Sequence, residues 1–322
     1  MIRILERLRP FSHQPGAACL IPTTSYVVQA FPSKLLIYDL EDSSHKVVKE
    51  IPLKVEGFLK QFTLLQDLEG GFVSCFSEAY SFFILPNLDV VEKRVKSEGL
   101  SNERLSFGMH KKQEVEALRA RLDVRELLPL WFQLGSNCPL QEESREKRGV
   151  FSLLEACRQS IAENHPEKTA AHFERLFVAG FSSFFVPRLQ DCEHRALFEP
   201  CAVEQSPLLL LSEGARLIRS LFFKEDEQGI HILPHLLPQC AAGKMMHLHS
   251  DIGIFDIEWS KKAIKKVILR ATREAELKLI FVSSIKSYRL QEAQSKRVIK
   301  NRVDQLISIE PKKVYHLDCF QK

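Results

Sequence analysis

Between Cys19 and Val95 short apolar runs recur about every ten residues, each ended by turn formers, a spacing that restricts this stretch to antiparallel β structure. The runs are Tyr26-Val27-Val28, Leu35 to Tyr38, Phe58 to Leu65, Gly71 to Phe76 and Tyr80 to Leu85. Between them, Glu41-Asp42-Ser43-Ser44 and Leu68-Glu69-Gly70-Gly71 have the composition of hairpin connections. Residues 1–100 are therefore expected to form a β meander or sandwich.

The period changes near Ser101. From Lys111 to Leu128 the apolar positions Val115, Leu118, Leu122 and then Leu127 and Leu128 follow a helical repeat, and Pro129 is expected to interrupt it. Leu130-Trp131-Phe132 continues the apolar face, and the polar segment Gln141 to Arg148 reads as an exposed linker. Phe151 to Glu163 and Glu167 to Phe177 read as an amphipathic helical hairpin, with Pro166 suited to a first helical turn. The aromatic tract Phe177 to Val186 reads as buried core, and Glu213 to Leu221 as a further helix. Beyond Ile230 strand patterns dominate: Ile252 to Trp259, Ile264 to Leu269 and Leu277 to Val282. The expectation is an α+β protein: an N-terminal antiparallel β unit (1–100), central helices (101–222) and a C-terminal β sandwich with a basic end (223–322).

No window approaches the ~18 consecutive apolar residues of a membrane span, and charges interrupt the apolar residues of Met1 to Pro10 where a secretory leader needs an unbroken run. A cytoplasmic protein with no membrane partner is expected. The eight cysteines are scattered without a CxxC pair, which points to buried thiols rather than a zinc site or a disulfide framework. The net charge of +4 conceals an asymmetry: after Trp259 there are sixteen Lys or Arg against six Asp or Glu, about +10, which leaves about −6 for the rest. Lys296, Arg297, Lys300 and Arg302 make this end a candidate dock for an acidic partner. Without aromatic residues interleaved for base stacking, a nucleic-acid partner is disfavoured.

The order of elements from residue 212 to 280 resembles the C-terminal region of the α-L-fucosidases of glycoside hydrolase family 95 and, more distantly, related disaccharide phosphorylases. The residues that carry it are Glu213-Gly214, Ser220, Ile230, Leu233-Pro234, Leu237-Pro238, Gly243, Leu248, Asp256-Ile257-Glu258-Trp259 and Lys266-Val267. The family's Arg-Gly-Gly-Phe approach to the Asp-Ile-x-Trp strand is replaced by Ser250 to Phe255, and its tryptophan after the second proline is absent near Cys240-Ala241. The chain also lacks room for the family's many-helix catalytic barrel. The resemblance implies a terminal β sandwich docked on helices and transfers no catalytic residue.

Inverting glycoside hydrolysis needs two carboxyl groups ~6.5–9.5 Å apart across the scissile bond. Glu155 with Glu163, and Asp256 with Glu258, are the pairs the sequence offers, and both arrangements are common on solvated surfaces. Asp256, near a strand glycine, is expected to accept hydrogen bonds from the backbone or an arginine. His231, His235, His247 and His249 fall close together, with Cys240 and Asp251 as the only completing ligands. A strand would put His247 and His249 on one face. Surface or hydrogen-bonded histidines are the simpler reading, and no metal or cofactor is assigned. Cys157, near several arginines, is read as packing rather than as a nucleophile. No nucleophile elbow, phosphate loop or dinucleotide fingerprint occurs, and Gly99 to Gly108 lacks the context of one. The leading expectation is a non-catalytic relative of carbohydrate-active enzymes, a binding or structural module with carbohydrate as its ligand. A reduced glycoside hydrolase using carboxylates of the helical unit, and an interaction protein using the basic C-terminal segment, are the alternatives.

Overall fold

Two β-sheets occupy the N-terminal part of the computed structural model, which describes residues 2–8, 17–31, 33–41, 46–53, 59–95, 100–109, 113–139, 149–182, 185–187, 206–281, 285–293, 298–303 and 305–322. Four strands, Ala17–Leu20, Tyr26–Ala30, Lys34–Asp39 and Val47–Pro52, pair in sequence order as a meander. The second sheet runs Gln113–Glu114, Ile2–Leu8, Leu59–Asp67, Phe72–Phe76, Ser81–Ile84, Val90–Val91, and only its first pairing is parallel. Gln66 joins the sheets by donating from Nε2 to the Leu20 carbonyl at 2.7 Å. The Leu68 to Gly71 connection closes as expected because Asp67 organises it. Its Oδ1 accepts from the backbone N–H groups of Glu69 and Gly70, while Oδ2 takes Arg94 at 2.8 Å.

Five helices follow among the described residues. The expected helix from Lys111 is divided: α1 is Val115–Arg121 and α2 is Val124–Gly135. The break falls at Leu122, which takes a left-handed conformation (φ 49°), because Asp123 caps the second helix by accepting the Arg125 N–H at 2.9 Å. Pro129 does not interrupt the pattern but lies inside α2, at the sixth position. The Leu122 turn brings Arg121 onto buried Glu126, whose two carboxylate oxygens accept at 2.8 and 3.1 Å. α3 (Val150–Ala162) and α4 (Pro166–Gly180) form the expected hairpin, with Pro166 opening the second helix. Phe177, Phe181, Phe185 and Val186 are buried, as the aromatic tract predicts. The proposed linker at 141–148 lies outside the described residues.

α5 (Leu209–Phe222) is the hub. It crosses α2 where Gly135 faces Leu211 and Ala215, and where Gly214 faces the Trp131 indole, so a glycine on each helix permits close approach. Glu213 reaches sideways to Arg158 of α3 (2.5 Å) and to Arg216.

The C-terminal part is built on a seven-stranded, all-antiparallel sheet. Its order is Arg104–Ser106, Gly243–Ser250, Gly253–Ser260, Ala263–Ala271, Val314–Gln321, Ser287–Glu292, Val298–Arg302. Phe255, Ile257, Trp259, Val267, Leu269 and Leu317 form its buried face. The expected single strand from Leu277 is two: Ala275–Leu277 pairs with Ile307–Ile309, and Leu279–Phe281 runs parallel to Gly229–Ile232. Lys278 stands between them, its carbonyl accepting the Ile230 N–H. The result is an α+β fold with strand-rich ends. Buried residues from all three segments form one hydrophobic cluster. β pairing also crosses the expected boundary at 101, since Arg104–Ser106 joins the C-terminal sheet and Gln113–Glu114 the N-terminal one. Among the described residues no helix is long and apolar enough to cross a membrane.

Candidate docking surface

A row of charge crosses the outward face of the seven-stranded sheet. Lys244 lies opposite Glu258, Glu258 opposite Lys266, and Arg289 opposite both Asp318 and Lys300. Lys266 acts electrostatically on Asp318 and completes the row. Signs alternate from Lys244 to Arg289, and such cross-strand pairs contribute roughly 0.2–1 kcal/mol each. At the sheet edge the alternation fails, because Arg289 is followed by Lys300. Arg289 is already committed to Asp318, with both carboxylate oxygens engaged at 2.6 and 2.5 Å, and this pairing holds the Asp318 carboxyl below its usual range. Lys300 therefore carries charge that its own sheet does not neutralise.

More uncompensated charge stands nearby. Lys278, Lys286, Lys300 and Arg302 are exposed, and none has an ion-pair partner among the described residues. Lys278 and Lys286, with Gln228, rim an open depression of about 570 Å³ whose floor is Leu279, Ile280, Phe281 and Val303. The ladder between Ser287–Glu292 and Val298–Arg302 runs into its wall, since Val303 donates its N–H to the Lys286 carbonyl at 3.2 Å. The floor is held from below by aromatic contacts of Phe281 with Tyr288 and Phe320, centroids 5.9 and 5.6 Å apart. Ile299, on the strand that leads to Val303, is exposed, as is Leu306. A surface of this kind, apolar at its centre and cationic at its rim, suits a ligand with carboxylates around an apolar body. Lys296 and Arg297, the other two basic residues singled out in the sequence, lie outside the described residues.

The carboxylates are arranged for structure. Among the described residues each strongly buried carboxylate is held by arginine: Asp67 by Arg94, Glu126 by Arg121, and Glu213 by Arg158 and Arg216. Glu155 pairs with Arg158, whereas Glu163 meets Gln159 and His165 after about 12 Å of helix axis. Asp256 and Glu258 share one strand face, the first bound to Arg270 and the second opposite Lys266. Neither pair spans a cleft.

Asp256 accepts hydrogen bonds from the backbone and from an arginine, as expected. The strand Gly243–Ser250 carries one extra residue between Met245 and Leu248, and His247 there has φ 58°. Its N–H donates to Asp256 Oδ1 at 2.8 Å, while Arg270 Nη2 donates to Oδ2 at 2.7 Å. Burial pushes the Asp256 carboxyl up, but these donors outweigh it and hold it below its ordinary value. Because the folded pKa is lowered, the stabilisation is present above about pH 4 and fades as pH falls toward the lowered folded value. Asp256→Asn should lower the thermal midpoint at pH 7, and the gap to the parent should narrow as the pH falls to about 3. An equal gap at both pH values would contradict the pairing.

The histidines separate. His231 bonds Asp226 at 3.0 Å, His235 bonds Asn164 at 3.3 Å, and exposed His247 and His249 flank buried Leu248 on one side of their strand. Cys240 is buried and Asp251 faces Arg273, so among the described residues no group of three metal-ligating side chains forms. Burial pushes the Cys157 thiol up to about 12, as it does those of Cys19, Cys75, Cys138 and Cys240, which makes Cys157 a packing residue.

No family model and no curated protein matches this chain. Among the residues quoted for the fucosidase resemblance, Trp259 makes structural contacts. Trp259 stacks on Phe222 of α5, centroids 5.3 Å apart, and its indole N–H donates to the Cys240 carbonyl at 2.9 Å, just beyond Leu237-Pro238. The free cations and the depression were legible only as an excess of basic residues. Their isolation from carboxylates depends on register.

Proposed function

We propose that this chain is a non-catalytic binding module whose working surface is the basic margin of the C-terminal sheet. The observation that carries this reading is the apolar depression rimmed by Lys278 and Lys286, which no carboxylate among the described residues lines. Catalysis by paired carboxylates would require one acid free of arginine, and the buried acids described above are all paired. The ligand is acidic, since Lys278 and Lys286 at the depression and Lys300 and Arg302 on the edge strand have no ion-pair partner among the described residues. The six described cysteines are free thiols, which supports a reducing, cytoplasmic setting.

Anisotropy of labelled poly-L-glutamate should report binding that weakens steeply between 50 and 200 mM salt, roughly a few-fold for each ion pair lost. A Lys278→Glu, Lys286→Glu double variant should reduce it further at low salt. A flat titration would overturn the reading. The carbohydrate ligand implied by the fucosidase resemblance is the second reading, carried by the docked Asp256-Ile257-Glu258-Trp259 strand. A thermal shift with fucosides, glucans or chitin fragments, without a response to polyglutamate, would put it first.

A further inference from the structure

The strand Val298–Arg302 ends the seven-stranded sheet, and among the described residues no strand pairs with its outer edge. Which of its main-chain groups face outward follows from three hydrogen bonds. Val303 donates inward, to the Lys286 carbonyl. Arg302 instead donates to the Gln305 side chain at 3.1 Å, and its carbonyl accepts the Gln305 N–H at 3.1 Å. Inward and outward groups alternate along an antiparallel strand, so residues 299, 301 and 303 face the Ser287–Glu292 strand, and 298, 300 and 302 face away. Gln305 closes the edge at Arg302. Lys300 is left with an outward N–H and an outward carbonyl, beside an ammonium group that has no ion-pair partner among the described residues.

We propose that an extended acidic peptide adds to this edge as an eighth strand, its main chain pairing at Lys300 and its apolar side chains reaching Ile299 and the Val303 side of the depression. The proposal rests on the binding function above and specifies the ligand's backbone as well as its charge. Main-chain pairing supplies affinity in such strand additions, and alternate side chains supply selectivity. The occupant is acidic because Lys300 is itself the pairing residue, Arg302 lies two residues along the edge, and Lys286, just before the adjoining strand, stands opposite Val303. A second copy adding by the same edge would set Lys300 and Arg302 against their own counterparts, which like-charge repulsion opposes. A nucleic acid would leave the outward amide and carbonyl without main-chain partners, and among the described residues this margin presents no exposed aromatic ring for a base, Phe281 being 9% exposed. Lysine on an edge also discourages unselective pairing, which is compatible with pairing reserved for an acidic strand.

The test uses the full chain and a fluorescent peptide of alternating Glu and Val, with the same peptide N-methylated at alternate residues and an oligothymidylate as comparison probes. The native peptide should bind, and N-methylation should weaken it ~10-fold or more, because half of its main-chain donors are removed. Lys300→Pro deletes the outward N–H without touching an inward rung, so it should weaken binding well beyond Lys300→Gln, which deletes the charge alone. Equal binding of the native and methylated peptides would overturn strand addition while leaving an electrostatic binding module standing. Absence of binding by every acidic probe would instead remove the binding function itself. Tighter binding of the oligothymidylate than of the peptide would also overturn the proposal. The methylated probe requires no variant, so a folding defect in Lys300→Pro does not decide the outcome.

Discussion

Gly135→Ala should destabilise the protein by about 2–3 kcal/mol, although helix propensity alone favours alanine over glycine by about 1 kcal/mol. The reason is where the new methyl would lie. A Cβ at Gly135 would stand 2.1 Å from the Leu211 carbonyl oxygen and 2.6 Å from Ala215 Cβ. The first neighbour is helix backbone and cannot rotate away, so α5 must shift as a body. That shift would disturb the reciprocal contact, in which Gly214 leaves room for the indole of Trp131, a residue 1% exposed. Gly180→Ala is the matched control. It also sits at a helix end, but its Cβ would meet only side-chain methyl groups, at 3.2 Å or more. Chemical denaturation should show a lowered midpoint for Gly135→Ala and a change within about 1 kcal/mol for Gly180→Ala. Similar midpoints for the two variants would show that α2 and α5 do not cross as closely as described.

Trp259→Ala should cost about 3–5 kcal/mol, the range for deleting a large buried aromatic side chain. Trp259 is 1% exposed, stacks on Phe222, meets Phe107 edge-on at 6.1 Å and donates to the Cys240 carbonyl. One side chain thus ties a strand of the C-terminal sheet to the end of α5 and to the loop beyond Pro238. Its loss opens a cavity and leaves a buried carbonyl without its donor. The thermal midpoint should fall by on the order of 10 °C. Trp259→Phe keeps the ring stacking but not the N–H, and should recover much of the loss while remaining below the parent. Full recovery would mean that the indole hydrogen bond contributes nothing.

Strands whose apolar residues alternate were visible in the sequence because burial on one face imposes that alternation. Tyr26 to Tyr38 and Gly253 to Trp259 belong to this class. Arg104–Ser106 and Gln113–Glu114 were not visible. They are three and two residues long, and their pairing partners lie far away in the chain, so no local pattern records them. The division of the Lys111 helix was present in Asp123, a good helix cap, but the proline six residues later was the louder signal. Lys278 divides an apolar run that reads as one strand, because neighbouring strands from two sheets compete for it.

Site features were legible by composition and not by geometry. The basic excess after Trp259 points to an acidic partner, yet a count of charges cannot separate Arg289, neutralised by Asp318, from Lys300, which is not. Sheet register makes that distinction. The carboxylate and histidine candidates likewise looked alike in sequence, and they differ in structure through the arginines and amide groups placed beside them.

Amide hydrogen exchange of the full chain, with and without the alternating Glu-Val peptide, is the most direct measurement of the binding surface. Added protection should fall on residues 298–303 and 279–281, where the free edge and the depression meet. Protection confined to the strand Gly253–Ser260 and the Leu233 to Pro238 loop, or no change anywhere under saturating peptide, would contradict the assignment of function to the basic margin.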